Sequence, residues 1–138
     1  MSVYRALVVD DEEINLVILG LYLEQFSIKV DKAANGKEAL EMCKNNSYDI
    51  IFIDIYMPNM GGIETTIEIR KDEAYKNTPI IGFSGKIAEK HIQKCLEAGM
   101  DSYMIKPIDI HFVKKLLDKY LSDIPTPKAW FHPFNIED

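Results

Sequence analysis

Five short apolar stretches, each followed by a segment of helical period, predict an α/β fold: a doubly wound, five-stranded parallel sheet with helices on both faces. Three observations carry the prediction. The spacing of apolar residues switches repeatedly from strand-like runs to the i, i+3, i+4, i+7 pattern of a helix. Three of the stretches are nearly unbroken apolar runs, as in strands covered on both faces. Turn-forming residues, Asn35-Gly36, Pro58 through Gly62 and Gly99, fall between the segments.

Residues 4–9 read as the first strand and run straight into Asp10-Asp11-Glu12-Glu13. Acids suit the first turn of a helix, where they face the positive end of its dipole. The helix that follows offers Ile14, Val17, Ile18 and Leu21 as one apolar face, expected to point inward. Residues 28–33 form a second, more polar strand, expected near a sheet edge. Asn35-Gly36 then turns the chain into a helix over 37–44, with Ala39, Leu40 and Cys43 inward. Residues 49–53 are a third strand, and 58–62 a loop. A helix over 63–72 places Ile63, Ile67 and Arg70 on one side. A fourth strand over 79–83 precedes a helix over 87–98 that Gly99 closes. A fifth strand spans 102–105. Lys106-Pro107 interrupts, and a last helix over 110–121 turns Phe112, Val113, Leu116, Leu117 and Tyr120 inward. The domain therefore covers 1–121, leaving a tail over 122–138.

Composition excludes several classes. No run of about 18 apolar residues exists to span a membrane. The opening residues lack a basic start and a cleavable apolar stretch, which argues against secretion. Cys43 and Cys95 have no metal-ligand spacing and read as small buried hydrophobes in a reducing, cytoplasmic compartment. A net charge of −6 disfavours binding to nucleic acid by this chain alone. The acidity is uneven: residues 1–60 hold ten acidic and five basic side chains, residues 86–119 five and seven.

In a parallel doubly wound sheet, ligands gather beyond the carboxyl ends of the strands. There the sequence puts Asp10-Asp11, Asp54, Ser84 and Lys106, with Asp54 expected at an exposed strand tip. Two like charges about 4 Å apart repel by roughly 4 kcal/mol at a surface-like dielectric. Three carboxylates at one edge must therefore bind a cation or hold a proton. Oxygen-only ligands suit Mg²⁺. Phosphoryl transfer to a carboxylate fits this set, because its transition state asks for positioning and charge neutralisation more than for a general base. Asp11 and Asp54 would hold the Mg²⁺, Lys106 would take a phosphoryl oxygen, and Ser84 would donate to the same group.

LVVDDE (7–12), IDIYMPNMGG (53–62), GFSG (82–85) and SYMIKP (102–107) occur in order, each at a predicted strand end. With these motifs the chain closely resembles the receiver domain of two-component response regulators, from about residue 3 to about residue 121. The resemblance implies a flavodoxin-like sheet of order 2-1-3-4-5. It implies that Asp54 accepts phosphate from a histidine kinase or a histidine phosphotransfer protein. Asp11 would bind Mg²⁺ directly, Asp10 through water, and Tyr56 through its backbone carbonyl. Ser84 would follow the phosphoryl group inward, Tyr103 would rotate with it as the switch, and Lys106 would precede a cis bond to Pro107. Output would pass through the face of helix four, strand five and helix five to a downstream protein the sequence does not identify. Such a module is no conventional enzyme, although it assists its own phosphorylation and dephosphorylation.

Three positions depart from the family pattern. Ser84 stands where threonine is common, Gly61 where aspartate is usual, which would loosen the loop before helix three, and bulky Tyr56 where the family tunes attack by water. Two other functions compete. A pseudo-receiver would be a constitutive binding scaffold, against which the full set of acids, hydroxyl and lysine argues. A phosphatase-like hydrolase passing through an aspartyl phosphate wants a second acid two residues beyond the nucleophile, where Tyr56 stands. His91, His111 and His132 read as isolated surface residues. Lys86, Lys90 and Lys94 on helix four, with Lys114, Lys115 and Lys119 on helix five, make either a solvated face or a docking surface for an acidic partner or a second copy in a homodimer. Met1 fits a stand-alone regulator, with a receiver excised from a larger protein as the alternative. In the tail, Trp130, Phe131 and Phe134 follow neither period and are expected to dock on this domain or a partner.

Overall fold

The structure, a computed structural model, describes residues 3–130. Five strands, β1 (Arg5–Val9), β2 (Lys29–Ala33), β3 (Ile50–Asp54), β4 (Ile80–Ser84) and β5 (Ser102–Ile105), alternate with five helices. These are α1 (Glu13–Gln25), α2 (Gly36–Asn45), α3 (Gly62–Arg70), α4 (Glu89–Ala98) and α5 (Ile110–Tyr120). All strand pairs are parallel and the order is β2-β1-β3-β4-β5, as the sequence implied. The polar strand β2 is an edge.

Alternation along the strands divides the core. Ala6, Val8, Phe52 and Phe83 point to one side with α1 and α5, through Leu16, Leu19, Leu23, Val113 and Leu117. Leu7, Val9, Ile51 and Ile53 point to the other, against Ala39, Cys43, Ile69 and Cys95 of α2, α3 and α4. Each fully buried Leu, Ile or Phe contributes about 1.5–3 kcal/mol, so both layers hold the β1–β3 strand ends in place.

Two helices, α1 and α3, bury a different face from the one the sequence suggested, and α5 buries the expected stripe except for its first residue. In α1 the inward residues are Leu16, Leu19, Gly20 and Leu23. Ile14 is 61% exposed and Leu21 55%, with Val17 and Ile18 also on the solvent side. The helix is apolar nearly all round, so two stripes fit its period and only the sheet chooses between them. In α3, Ile67 is exposed while Thr65, Thr66 and Ile69 are buried. The threonine hydroxyls donate back to the carbonyls of Gly61 and Gly62, which lets these side chains pack as apolar ones. In α5, Phe112 is exposed and Val113, Leu116 and Leu117 form the buried stripe.

Arg70 lies half-buried at the end of α3. Its guanidinium donates to the carbonyls of Tyr75, Thr78 and Gly99 and to the Asp101 carboxylate, joining α3 to the turn before β5. Gly99 ends α4 at φ 111°, a left-handed conformation that favours glycine. Beyond α5 the chain turns back, and Trp130 packs edge-on to Phe26 (centroids 5.5 Å) and against His111 (4.2 Å). His111 is thus exposed, as expected, but in contact with an aromatic ring rather than isolated. Phe131, Phe134 and His132 lie outside the described residues.

Candidate functional site

The sheet delivers the predicted groups to one edge. Asp10 follows β1 and is fully buried. One of its carboxylate oxygens accepts from the Glu12 N–H (2.9 Å), and the other lies 3.3 Å from Lys106 Nζ. Asp11, the next residue, is exposed. Asp54 is the last residue of β3 and only 4% exposed, so it is not at an open tip. The strand reaches one residue further than the apolar run implied, and the chain after it folds back: Gly62 donates to Ile55 O at 2.9 Å. Asp54 Oδ1 accepts from the Tyr56 N–H at 3.3 Å, and Oδ2 stands 3.6 Å from Lys106 Nζ.

Lys106 is aimed by β5 and by the loop after it. Its N–H donates to Ser84 O (2.7 Å), its bond to Pro107 is cis, and its ammonium sits 5.3 Å from the centre of the Phe83 ring. Glycine at 62 is required by closeness: a Cβ there would be driven into the Asp54 carbonyl. Gly61 is not left loose, because its N–H donates to the Glu64 carboxylate at 2.6 Å.

Charge is unbalanced here. Asp10, Asp11 and Asp54 offer one oxygen each, all within 4.8 Å of one another. Lys106 is the cation paired with them, bonded to two of the three. Burial, and then the neighbouring Asp10 carboxylate, push the Asp54 carboxyl up to about 7, while Lys106 and the Tyr56 N–H pull it down. A buried carboxylate in this position asks for more positive charge than the protein supplies. Three hard oxygen donors, one of them exposed to solvent, fit a small divalent cation that keeps several waters.

Two predicted residues stand apart from this cluster. The Ser84 hydroxyl, although buried, turns into its own loop: it donates to Lys86 O (3.1 Å) and accepts from the Lys86 N–H (3.3 Å). Tyr103 is half-buried on the edge strand β5, packed on the core layer of α2–α4. The sequence missed the surroundings of Tyr56. Its hydroxyl lies 2.6 Å from His91 Nδ1 and accepts from the Ala88 N–H at 3.1 Å. His91 is therefore not isolated. Nothing local signals the pair, since the two residues are 35 positions apart. Of the lysines, Lys86 precedes α4 rather than lying on it, and Lys114 is paired with Asp118 at 2.7 Å.

Residues 6–118 match the family model described as the response regulator receiver domain. The chain belongs to that family. It is 39% identical over 106 residues to the CAI-1 autoinducer sensor kinase/phosphatase CqsS of Vibrio cholerae, covering 76% of this receiver and 16% of the relative. The receiver spans between 6% and 41% of the length of the curated relatives that lead the matches. Among solved structures, the chemotaxis protein CheY4 of Vibrio cholerae superposes with a TM-score of 0.83 at 28% identity, over 87% of this chain and 100% of that one. The receiver domain of sensor histidine kinase PA1611 from Pseudomonas aeruginosa gives 0.80 at 26%, over 88% and 100%. That domain holds a magnesium ion in its active site cleft. Among the described residues, no helix of this receiver is long and apolar enough to cross a membrane.

Proposed function

We propose that this receiver takes a phosphoryl group onto Asp54 from a histidine kinase or histidine phosphotransfer protein and passes the change to a second protein. The observation that carries the reading is the pairing of Lys106 with both Asp10 and Asp54 beside the exposed Asp11, a site with more negative charge than the chain itself balances. Asp11 and Asp54 would hold Mg²⁺, with Asp10 acting through water and Tyr56 through its backbone carbonyl. When bound, the ion supplies positive charge to the transferring phosphoryl oxygens.

The protein's own groups do the rest. An Asp54 oxygen forms the new bond to phosphorus, and the bond from phosphorus to the donor's imidazole nitrogen breaks. Lys106, a compact ammonium already against that carboxylate, neutralises a phosphoryl oxygen. Asp10 keeps Lys106 in place and accepts from the Glu12 N–H. Ser84 would leave its bonds to Lys86 and donate to the phosphoryl group, and Tyr103 would turn inward into the space so opened. The face of α4, β5 and α5 would carry the output.

The exposed Ile14, Val17, Ile18 and Leu21 lie on α1, which starts two residues beyond Asp11 at the edge of the site. An apolar helix of the phosphodonor would dock there, which brings its phosphohistidine over Asp54. The deciding experiment is incubation with Mg²⁺ and a small acyl phosphate, followed by intact mass. One phosphoryl adduct on the wild type and none on Asp54→Asn is the expected result. An adduct that survives the substitution, or none on the wild type, would overturn the reading.

A further inference from the structure

Tyr56 is held at both ends. Its N–H donates to the Asp54 carboxylate (3.3 Å), while its hydroxyl accepts from the Ala88 N–H (3.1 Å) and meets His91 Nδ1 at 2.6 Å. The two rings lie 5.5 Å apart and tilted by 52°, so the contact is made through the hydroxyl and not by stacking. Ala88 ends the β4–α4 loop and His91 lies in the first turn of α4. The tyrosine side chain therefore spans from the loop after the acceptor to the loop after Ser84. With the Ala88 N–H on a lone pair, the hydroxyl proton is free to point at Nδ1, and one chain of hydrogen bonds satisfies all three groups.

Resting on the phosphoacceptor reading above, we propose that His91 is a positioning residue: by pinning the Tyr56 ring across the gap between these loops, it sets how long the phosphoryl group stays on Asp54. Loss of the group is hydrolysis. A water oxygen bonds to phosphorus, the bond from phosphorus to the Asp54 oxygen breaks with its electron pair returning to the carboxylate, and the water proton leaves with inorganic phosphate. The water must approach opposite the breaking bond, from the solvent side of the site. A ring fixed over that side obstructs the approach, and a ring free to swing obstructs it less. His91 touches neither the phosphoryl group nor the water and acts only through Tyr56.

The test loads the full chain with acetyl phosphate and Mg²⁺ at fixed pH, removes the donor, and follows the adduct by intact mass. Tyr56→Phe keeps the ring and removes both hydroxyl contacts; His91→Leu removes only the partner. Each is expected to speed phosphoryl loss by about three- to tenfold, the change expected for one net hydrogen bond. The double variant should be no faster than Tyr56→Phe. His91→Asn, which places an acceptor near the position of Nδ1, should restore the wild-type rate. Unchanged decay in both single variants, a double variant faster in proportion to the two, or no rescue by asparagine would overturn the inference alone. A wild type that takes up no phosphoryl group overturns the phosphoacceptor reading as well.

Discussion

Asp54 is held against its own charge, and that has a measurable sign. Its carboxyl titrates near 7 in the folded protein against an ordinary value of 3.8. Between those values the folded state binds the proton more tightly than the unfolded one, so stability from this group is present at low pH and lost as pH rises through 7. In EDTA at pH 8, Asp54→Asn is therefore expected to be more stable than the wild type, by on the order of 2–4 kcal/mol. The gap should close toward pH 5 in urea melts, and Mg²⁺ should raise the wild-type melting temperature far more than that of the variant. Gly62→Ala tests the backbone beneath the same residue: the added methyl meets the Asp54 carbonyl, and a loss of about 1–3 kcal/mol is expected by chemical denaturation. That Asp11, Asp54 and Lys106 would meet at one edge of the sheet was legible, because each stands at the end of a recognisable strand. The burial of Asp54 and the partner of Tyr56 were not, because other loops supply them. Periodicity describes a segment and not what folds over it.

At the scale of the element, the proposed docking face of α1 is distinct from the face that holds the fold together. Leu19 and Leu23 lie wholly inside the α1–α5 layer, whereas Ile14 and Leu21 lie mostly in water. Leu19→Ala is expected to cost about 2–5 kcal/mol of folding stability. Ile18→Lys should change stability by no more than about 0.5 kcal/mol, since it is a surface substitution away from caps and pairs. The same change should slow phosphotransfer from a protein donor while leaving uptake from acetyl phosphate unaltered, a comparison that isolates docking from chemistry. Equal loss with both donors would place the defect at the acceptor instead. The sequence showed that α1 is a helix and left its orientation open, because Ile14/Val17/Ile18/Leu21 and Leu16/Leu19/Leu23 both satisfy the period. Amphipathic α2 offered a single stripe, and its inward Ala39 and Cys43 were read correctly.

Across the whole molecule, the parallel order β2-β1-β3-β4-β5 gathers residues from the ends of β1, β3 and β5 into one site, and the same winding brings the segment after α5 back to the start of β1. After α5 the backbone passes Tyr4, whose hydroxyl accepts from the Ser122 N–H at 3.1 Å, and reaches Phe26 through Trp130. Tyr4 and Trp130 both pack on the α1–α5 core layer. The sequence led us to expect that Trp130 would dock, and it does so on this domain. Its partners were not legible, because prolines at 125 and 127 break helical period and Phe26 and His111 belong to other elements. Trp130→Ala should lower stability by about 1–2 kcal/mol, in keeping with a half-buried aromatic, while phosphoryl uptake on Asp54 stays unchanged. Removal of residues 122–138 should cost at least as much. A truncated chain as stable as the full one would mean that the tail's contacts with Tyr4 and Phe26 add nothing to the core they cover.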